Sequence, residues 1–188
     1  MTLVNPAGGV AKALLVDDRR ENLTAVAAML QGLPVEPVAV TSGDAALKKL
    51  LTDDFAVIML DAQMPDMDGF ETATHIKARE RTRHIPIIFL TAADRDAQLA
   101  LRGYAAGAVD YLIKPLDPWV LRAKVSVFVD LWNKNRELAA LAGVIREHEQ
   151  RQQATLDAIG SALTALQSPD GVRDVGHAIE LLEQARRD

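Results

Sequence analysis

Five side chains that can bind a metal ion or a phosphoryl group stand at the ends of short apolar runs. The adjacent Asp17 and Asp18, the single Asp61, Thr91 and Lys114 each follow such a run. Carboxylates are the hard oxygen ligands that Mg²⁺ prefers, and hydroxyl and ammonium groups bind phosphoryl oxygens. A carboxylate can also attack phosphorus as a nucleophile. These residue types predict magnesium-assisted phosphoryl transfer, with Asp61 as the candidate nucleophile because it stands alone after the middle run.

The apolar runs that precede these side chains predict five strands. Near-continuous apolar runs of this length are typical of strands buried on both faces. They alternate with segments of helical spacing, which predicts an α/β fold with a doubly wound parallel sheet. Ligands bind beyond the carboxyl ends of such strands, so the five side chains should converge. The predicted strands are 13–16, 35–40, 55–60, 85–90 and 109–113, and the predicted helices are 22–31, 44–51, 69–80, 96–106 and one from 117 onward.

Two interpretations of the three carboxylates are open. They can form an accidental acidic patch on the surface, which solvent would tolerate. Against this, Asp17, Asp18 and Asp61 directly follow buried runs, where unpaired charge is costly. A divalent cation would relieve their repulsion and could bind a phosphoryl oxygen as well.

Composition limits the function classes. The 188 residues are 49% hydrophobic and 25% charged, with a net charge of −5 and no cysteine. An acidic chain of this kind is not expected to bind DNA or anionic membranes. Neither a secretory signal nor a stretch of about 18 apolar residues is visible, so a soluble, cytoplasmic protein without a membrane span is expected. Residues 1–11 are expected to be disordered.

The tail, residues 131–188, predicts helices rather than a catalytic or DNA-binding output domain. Residues 119–167 contain no proline, a turn is predicted at 168–171, and a shorter helix at 172–187. Acidic residues outnumber basic residues in 117–188, which disfavours DNA binding. Apolar residues recur at heptad spacing, interrupted by a four-residue stutter, which favours a coiled-coil homodimer over packing against the first domain. The predicted dimerisation residues are Leu131, Leu138, Leu141, Ile145, Leu156, Ile159 and Leu163.

Residues 12–130 resemble the receiver domain of response regulators in two-component systems. The resemblance rests on four motifs in a fixed order along the chain: Asp17-Asp18, Asp61-x-x-Met64-Pro65-x-Met67-Asp68-Gly69, Thr91-Ala92, and Tyr111-Leu112-Ile113-Lys114-Pro115. It implies a flavodoxin-like sheet of strand order 2-1-3-4-5. It also implies a protein that is not an enzyme beyond its own phosphorylation and dephosphorylation.

The resemblance implies a metal site around the phosphoacceptor. Asp61 would accept phosphate from a sensor histidine kinase with Mg²⁺ as cofactor. Asp18 would ligate the metal directly, and Asp17 directly or through water. Asp61 and the backbone carbonyl of Gln63 would complete the protein ligands.

The resemblance also implies residues that bind the phosphoryl group and report its presence. Lys114 would pair with the phosphoryl group and Thr91 would hydrogen-bond to it. Thr91 and Tyr111 would act as the switch, although Tyr111 can also be a strand residue that packs on the predicted helix 96–106. The Lys114–Pro115 peptide bond is expected to be cis.

Two functions follow for the phosphorylated chain. In the first, phosphorylation of Asp61 alters dimerisation or binding of a downstream protein that the sequence does not identify. In the second, the chain is a phosphorelay intermediate that passes phosphate between Asp61 and His148. The segment His148-Glu149-Gln150-Arg151 is similar to the His-Glu-x-Arg core of histidine-kinase dimerisation helices, but Gln152-Gln153 replace the usual Thr-Pro. The first function is favoured.

Overall fold

The computed structural model describes residues 9–91, 110–166 and 179. The chain divides into two compact units, and the boundary follows Asn135. None of the described helices combines the length and the apolarity that crossing a bilayer requires.

The first unit contains a five-stranded parallel sheet in which the strands lie in the order β2-β1-β3-β4-β5. This confirms the predicted fold class and strand order. The central strands β3 and β4 are buried along their whole length, whereas β2 and β5, at the two edges, have exposed residues. The strands are β1 (Ala11–Val16), β2 (Val35–Val40), β3 (Val57–Asp61), β4 (Ile87–Thr91) and β5 (Asp110–Ile113).

Four helices are described, and three of them begin at a side-chain cap. Ser42 accepts a hydrogen bond from the backbone of Ala45, and Asp68 accepts one from Glu71 at 2.8 Å. Asp117 accepts hydrogen bonds from the backbone N–H groups of Trp119 and Val120 in the first turn of the fourth described helix, which begins at Pro118. Both features are common at helix N-termini. The helices are α1 (Arg20–Met29), α2 (Gly43–Thr52), α3 (Gly69–Ala78) and α4 (Pro118–Leu166).

Each face of the sheet carries its own apolar core. Alternate residues of β1 point to opposite faces: Leu14 packs with α2 and α3, whereas Leu15 packs with α1 and the first part of α4. Successive side chains of a strand alternate in this way, so two helical layers can cover one sheet. Helices therefore cover both faces of the sheet, and the polar side chains lie at its carboxyl edge.

Several predicted boundaries differ from the structure. β1 begins at Ala11, which is buried and paired with Val35, so the expectation of disorder to residue 11 is wrong at that residue. β3 and β4 each end one residue later than predicted, because the ladder extends to Asp61 and Thr91. The predicted helix 96–106 and turn 168–171 lie outside the described residues, as does the predicted helix 172–187 apart from Ile179.

Candidate functional site

The predicted site residues meet at the carboxyl edge of the sheet. Asp17 directly follows β1, Asp61 and Thr91 are the last residues of β3 and β4, and Lys114 directly follows β5. Parallel strands end on the same side, so side chains distant in sequence become neighbours. Asp61 pairs with Leu90 on β4 in the sheet register, which places the candidate nucleophile on a fully buried strand.

Lys114 joins two of the carboxylates. Its Nζ donates to Asp17 Oδ2 at 2.7 Å and to Asp61 Oδ2 at 2.9 Å. Its backbone N–H donates to the carbonyl of Thr91 at 2.7 Å, which links the end of β5 to the end of β4. The peptide bond from Lys114 to Pro115 is cis. The ammonium group therefore lies between two acidic groups and compensates part of their charge.

Asp17 is held by more hydrogen bonds than its neighbour Asp61. Asn22 Nδ2 donates to both oxygens of Asp17 at 2.9 Å, and the backbone N–H of Arg19 donates to Oδ1 at 2.9 Å. Asp61 accepts from the backbone N–H of Gln63 at 3.3 Å. Asn22 was not among the predicted site residues. Its position in the first helix after the Asp pair was the available signal.

The electrostatics of the three groups follow from burial and pairing. Burial raises the pKa of Asp61 above its usual value, and the negative charge of Asp17 acts in the same direction. Burial alone would also raise the pKa of Asp17, but the hydrogen bonds from Lys114, Arg19 and Asn22 hold it below its usual value. Burial would lower the pKa of Lys114, yet its two carboxylate partners raise it. Lys114 therefore stays charged beside two acidic groups.

The donor set fits a hard divalent cation. Asp17, Asp18 and Asp61 each offer a carboxylate oxygen, and these oxygens lie within 4.8 Å of one another. Asp17 and Asp61 are buried, whereas Asp18 is exposed. Oxygen ligands with an open, solvated side suit Mg²⁺, which keeps several of its waters when it binds. Gln63 lies in the loop after Asp61, two residues from the candidate phosphoacceptor.

The two predicted switch residues lie on neighbouring strands. Thr91 is buried and Tyr111 is 42% exposed. In the sheet register Thr91 is opposite Ile113, and Tyr111 is opposite Phe89. Because Tyr111 is partly solvent-exposed, a change in its rotamer would not have to break a closed packing arrangement.

Gly69 brings α3 close to the strand that carries Asp61. A Cβ at position 69 would lie 2.1 Å from the backbone oxygen of Asp61 and 2.9 Å from the Cα of Ala62. Both are backbone atoms, so neither can move aside without shifting the site. The first turn of α3 therefore depends on the absence of a side chain at this residue.

We expect Gly69→Ala to lower the free energy of unfolding by about 2–3 kcal/mol, because an added methyl group overpacks a fixed backbone contact. Urea denaturation followed by circular dichroism measures this. Gly143→Ala is the matched control, since a Cβ there meets no atom within 4 Å and alanine favours a helix. Equal stability of the two variants would contradict the close approach.

The tail residues predicted to dimerise lie on α4 and are solvent-exposed. Their exposed fractions range from 40% at Ile159 to 63% at Leu138. His148 is also exposed on α4. A series of large apolar side chains is thus in contact with solvent in the single chain. The named residues are Leu131, Leu138, Leu141, Ile145, Leu156, Ile159 and Leu163.

A buried aspartate beside a lysine and two further carboxylates, at the carboxyl edge of a 2-1-3-4-5 sheet, defines the class of receiver-type signalling domains. The comparison with family models agrees: residues 13–126 match the response regulator receiver domain. The chain belongs to this family, as its motifs predicted.

Similar proteins differ in what accompanies the receiver. Response regulator PleD of Caulobacter vibrioides is 34% identical over 142 residues, which are 76% of this chain and 29% of PleD. A probable cyclic di-GMP phosphodiesterase of Vibrio cholerae is 40% identical over 116 residues, which are 60% of this chain and 25% of that protein. The chain thus spans less than a third of the length of these relatives.

A solved structure shows the same fold. The chemotaxis protein CheY4 of Vibrio cholerae superimposes with a TM-score of 0.60 at 31% sequence identity. The match covers 64% of this chain and 99% of that chain. The similarity is therefore to a complete receiver fold, and it leaves about a third of this chain unmatched.

Proposed function

We propose that Asp61 accepts a phosphoryl group from the phosphohistidine of a sensor histidine kinase in a magnesium-dependent reaction. The observation that carries this proposal is the position of Asp61: a buried carboxylate, 2.9 Å from the Nζ of Lys114, within 4.8 Å of two further carboxylates. Such a set has one nucleophile, one cation for the incoming oxygens and the ligands for a metal.

The residues of the chain have separate roles in this transfer. An oxygen of Asp61 forms the new bond to phosphorus while the bond from phosphorus to the donor imidazole nitrogen breaks. Lys114 pairs with the phosphoryl oxygens. Asp17, Asp18, Asp61 and the backbone carbonyl of Gln63 would hold Mg²⁺, which when bound would neutralise charge on the transferred group. Water later hydrolyses the acyl phosphate, and no other catalytic activity is proposed.

The two switch residues, Thr91 and Tyr111, transmit the phosphorylation of Asp61 to the rest of the domain. Thr91 moves toward the phosphoryl group and hydrogen-bonds to it, and Tyr111 turns into the space that Thr91 leaves. The backbone hydrogen bond from Lys114 to Thr91 supports this coupling, because both phosphoryl-binding residues share it. Phosphorylation would then shift the population of two arrangements of β5 and its neighbours.

The output is a change in dimerisation or in binding of a downstream protein. The receiver, residues 12–130, would receive the signal, and residues 131–188 would form the helical output. The exposed apolar residues of α4 from Leu131 to Leu163 support a homodimer, since solvent contact of so many large apolar side chains is unfavourable. A cytoplasmic location is expected from the sequence. Transfer between Asp61 and His148 has no structural support and is not favoured.

The chemistry of the bound phosphate tests this proposal. The full chain is incubated with radiolabelled acetyl phosphate and Mg²⁺, and the product is treated with acid or alkali. We expect label that is stable in acid, lost in alkali and not incorporated when EDTA removes the metal. Label that resists alkali and is lost in acid would contradict the assignment to an aspartate and identify phosphohistidine. Incorporation that is unchanged by EDTA would contradict the metal requirement.

A further inference from the structure

An exposed apolar stripe lies on the part of α4 that belongs to the first unit. Val120, Val127 and Leu131 are 42%, 61% and 54% exposed. Single exposed apolar residues are ordinary on protein surfaces. In the described part of the chain, however, most of the exposed large apolar side chains lie on this one helix. The exposed apolar side chains of this helix are therefore clustered, unlike the single exposed apolar residues that are common on protein surfaces.

The stripe is separate from the face that α4 buries in its own domain. Leu121, Val125 and Val129 are almost fully buried and belong to the core beneath the sheet. At about 100° per residue, the centre of the stripe lies roughly 140° around the helix axis from the centre of that buried face. The first part of α4 thus has two apolar faces, and only one of them packs against the described core residues of the domain.

The spacing of the stripe is that of a coiled coil. Val120 and Val127 are seven residues apart, and Leu131 follows four residues later, as d and a positions do in a heptad. In the sequence the same frame places Lys134 at the next d position and then continues beyond Asn135 with Leu138, Leu141 and Ile145. A strict seven-residue repeat keeps one seam in contact only when two helices wind around each other.

The charge in the stripe is compensated within the same chain. Lys124 occupies the a position between Val120 and Val127, and its Nζ pairs with the carboxylate of Asp110 on β5. A lysine at a single a position is tolerated in two-stranded coiled coils, where its long stem can reach the edge of the seam. The ion pair with Asp110 holds the ammonium group of Lys124 aside, so the stripe can approach an identical stripe.

We propose that a second copy of this chain docks on the stripe Val120, Val127 and Leu131, in a parallel, in-register coiled coil that begins on the receiver itself. This inference rests on the dimer proposed above and extends it, because the seam would start near residue 120 rather than at residue 131. The symmetric interface would place Val127 of each copy opposite Val127 of the other. It would also include the ion pair between Lys124 and β5, the strand that leads to Lys114.

The dissociation constant of the full-length dimer tests the proposal, measured by sedimentation equilibrium. We expect Val127→Lys to raise it at least about tenfold, because each copy loses a buried valine from the seam. Lysine favours helices more than valine does, so loss of helix is not the cause. Val10→Lys is the matched control, since Val10 is 62% exposed and lies before β1. It should leave the dissociation constant unchanged.

Leu141→Lys separates this inference from the proposed function. A dimer weakened by Leu141→Lys but not by Val127→Lys would confine the interface to the tail and overturn the inference alone. A wild-type chain that stays monomeric, or a dimer that neither substitution weakens, would overturn the proposed dimer as well. In the monomeric case another protein or the chain itself would have to cover the stripe.

The absence of cysteine from the sequence allows a direct test of register. We expect Val127→Cys to form a disulfide-linked dimer under oxidised glutathione, because equivalent seam residues of a parallel coiled coil come within disulfide reach. Val10→Cys should remain uncrosslinked under the same conditions. A dimer of Val127→Cys that does not crosslink would overturn the parallel, in-register arrangement.

Discussion

Asp61→Asn is expected to abolish incorporation of phosphate from acetyl phosphate or from a phosphorylated kinase, while the protein stays folded. The amide has no negative oxygen to attack phosphorus, and its shape is otherwise the same as that of the carboxylate. The measurement is the mass of the intact protein after incubation with acetyl phosphate and Mg²⁺. Asp54→Asn is the matched control, since Asp54 is exposed and lies before β3.

The stability of Asp61→Asn distinguishes loss of chemistry from loss of fold. Burial raises the pKa of Asp61, so the folded protein binds its proton more tightly than the unfolded chain does. The contribution of this group therefore favours folding at low pH and is lost as pH rises through the carboxyl range. At neutral pH, Asp61→Asn should unfold at the same urea concentration as wild type or a higher one. Unfolding at a clearly lower concentration would contradict this account.

Lys114→Met is expected to have the second largest effect, on both stability and phosphorylation. The substitution leaves Asp17 and Asp61, both largely buried, without the cation between them. Removing one partner of a buried ion pair costs about 3–5 kcal/mol, and partial solvent access of Lys114 places the expected loss near 3 kcal/mol. The phosphoryl oxygens would also lose their cation, which should slow phosphorylation by roughly 100-fold.

Mg²⁺ is expected to offset part of the loss of stability in Lys114→Met. Without the ammonium group the carboxylates repel more strongly, so a divalent cation should stabilise Lys114→Met more than it stabilises wild type. Urea denaturation with Mg²⁺ and with EDTA measures both differences. Lys12→Met is the matched control, because Lys12 pairs with Asp53 outside the site, and a pair with more access to solvent contributes less than a buried one. Equal losses in the two variants would contradict a special role of Lys114.

The convergence of the site could be predicted from the sequence because it follows from topology. In a parallel sheet, residues that end successive strands lie at one edge whatever the helices between them do. Asp61, Thr91 and Lys114 could therefore be placed together from the apolar runs alone. The ends of the strands were predicted less accurately. A polar residue such as Asp61 can continue the hydrogen-bonded pairing of a strand beyond the last apolar residue.

The difference in burial between Asp17 and Asp18 could not be predicted from the residues alone. Asp17 and Asp18 have identical side chains, yet Asp17 is buried and Asp18 is exposed. The difference arises from the direction in which the chain leaves β1, which also lets Asn22 reach Asp17 from the first turn of α1. Backbone direction after a strand depends on the following helix, and the local sequence does not determine it.

The close contact at Gly69 and the extent of the exposed stripe on α4 could not be predicted from the sequence either. Gly69 belongs to the motif that begins at Asp61, but its close approach to the carbonyl of Asp61 depends on how α3 packs. Heptad spacing indicated a coiled coil, yet the exposed fractions of Val120 and Val127 were needed to see that the stripe reaches the receiver. These features depend on distances between elements, which patterns within one element do not contain.

The full burial of β3 has a consequence for how phosphorylation is sensed. Amide protons on strands buried on both faces are expected to exchange with solvent only when the whole domain opens, and this applies to β3, which ends at Asp61. An edge strand such as β5, with alternate residues exposed, opens at lower free energy. A phosphoryl group on Asp61 would therefore be attached to a fully buried strand, whereas the proposed response at Tyr111 would take place on the edge strand β5, two strands away.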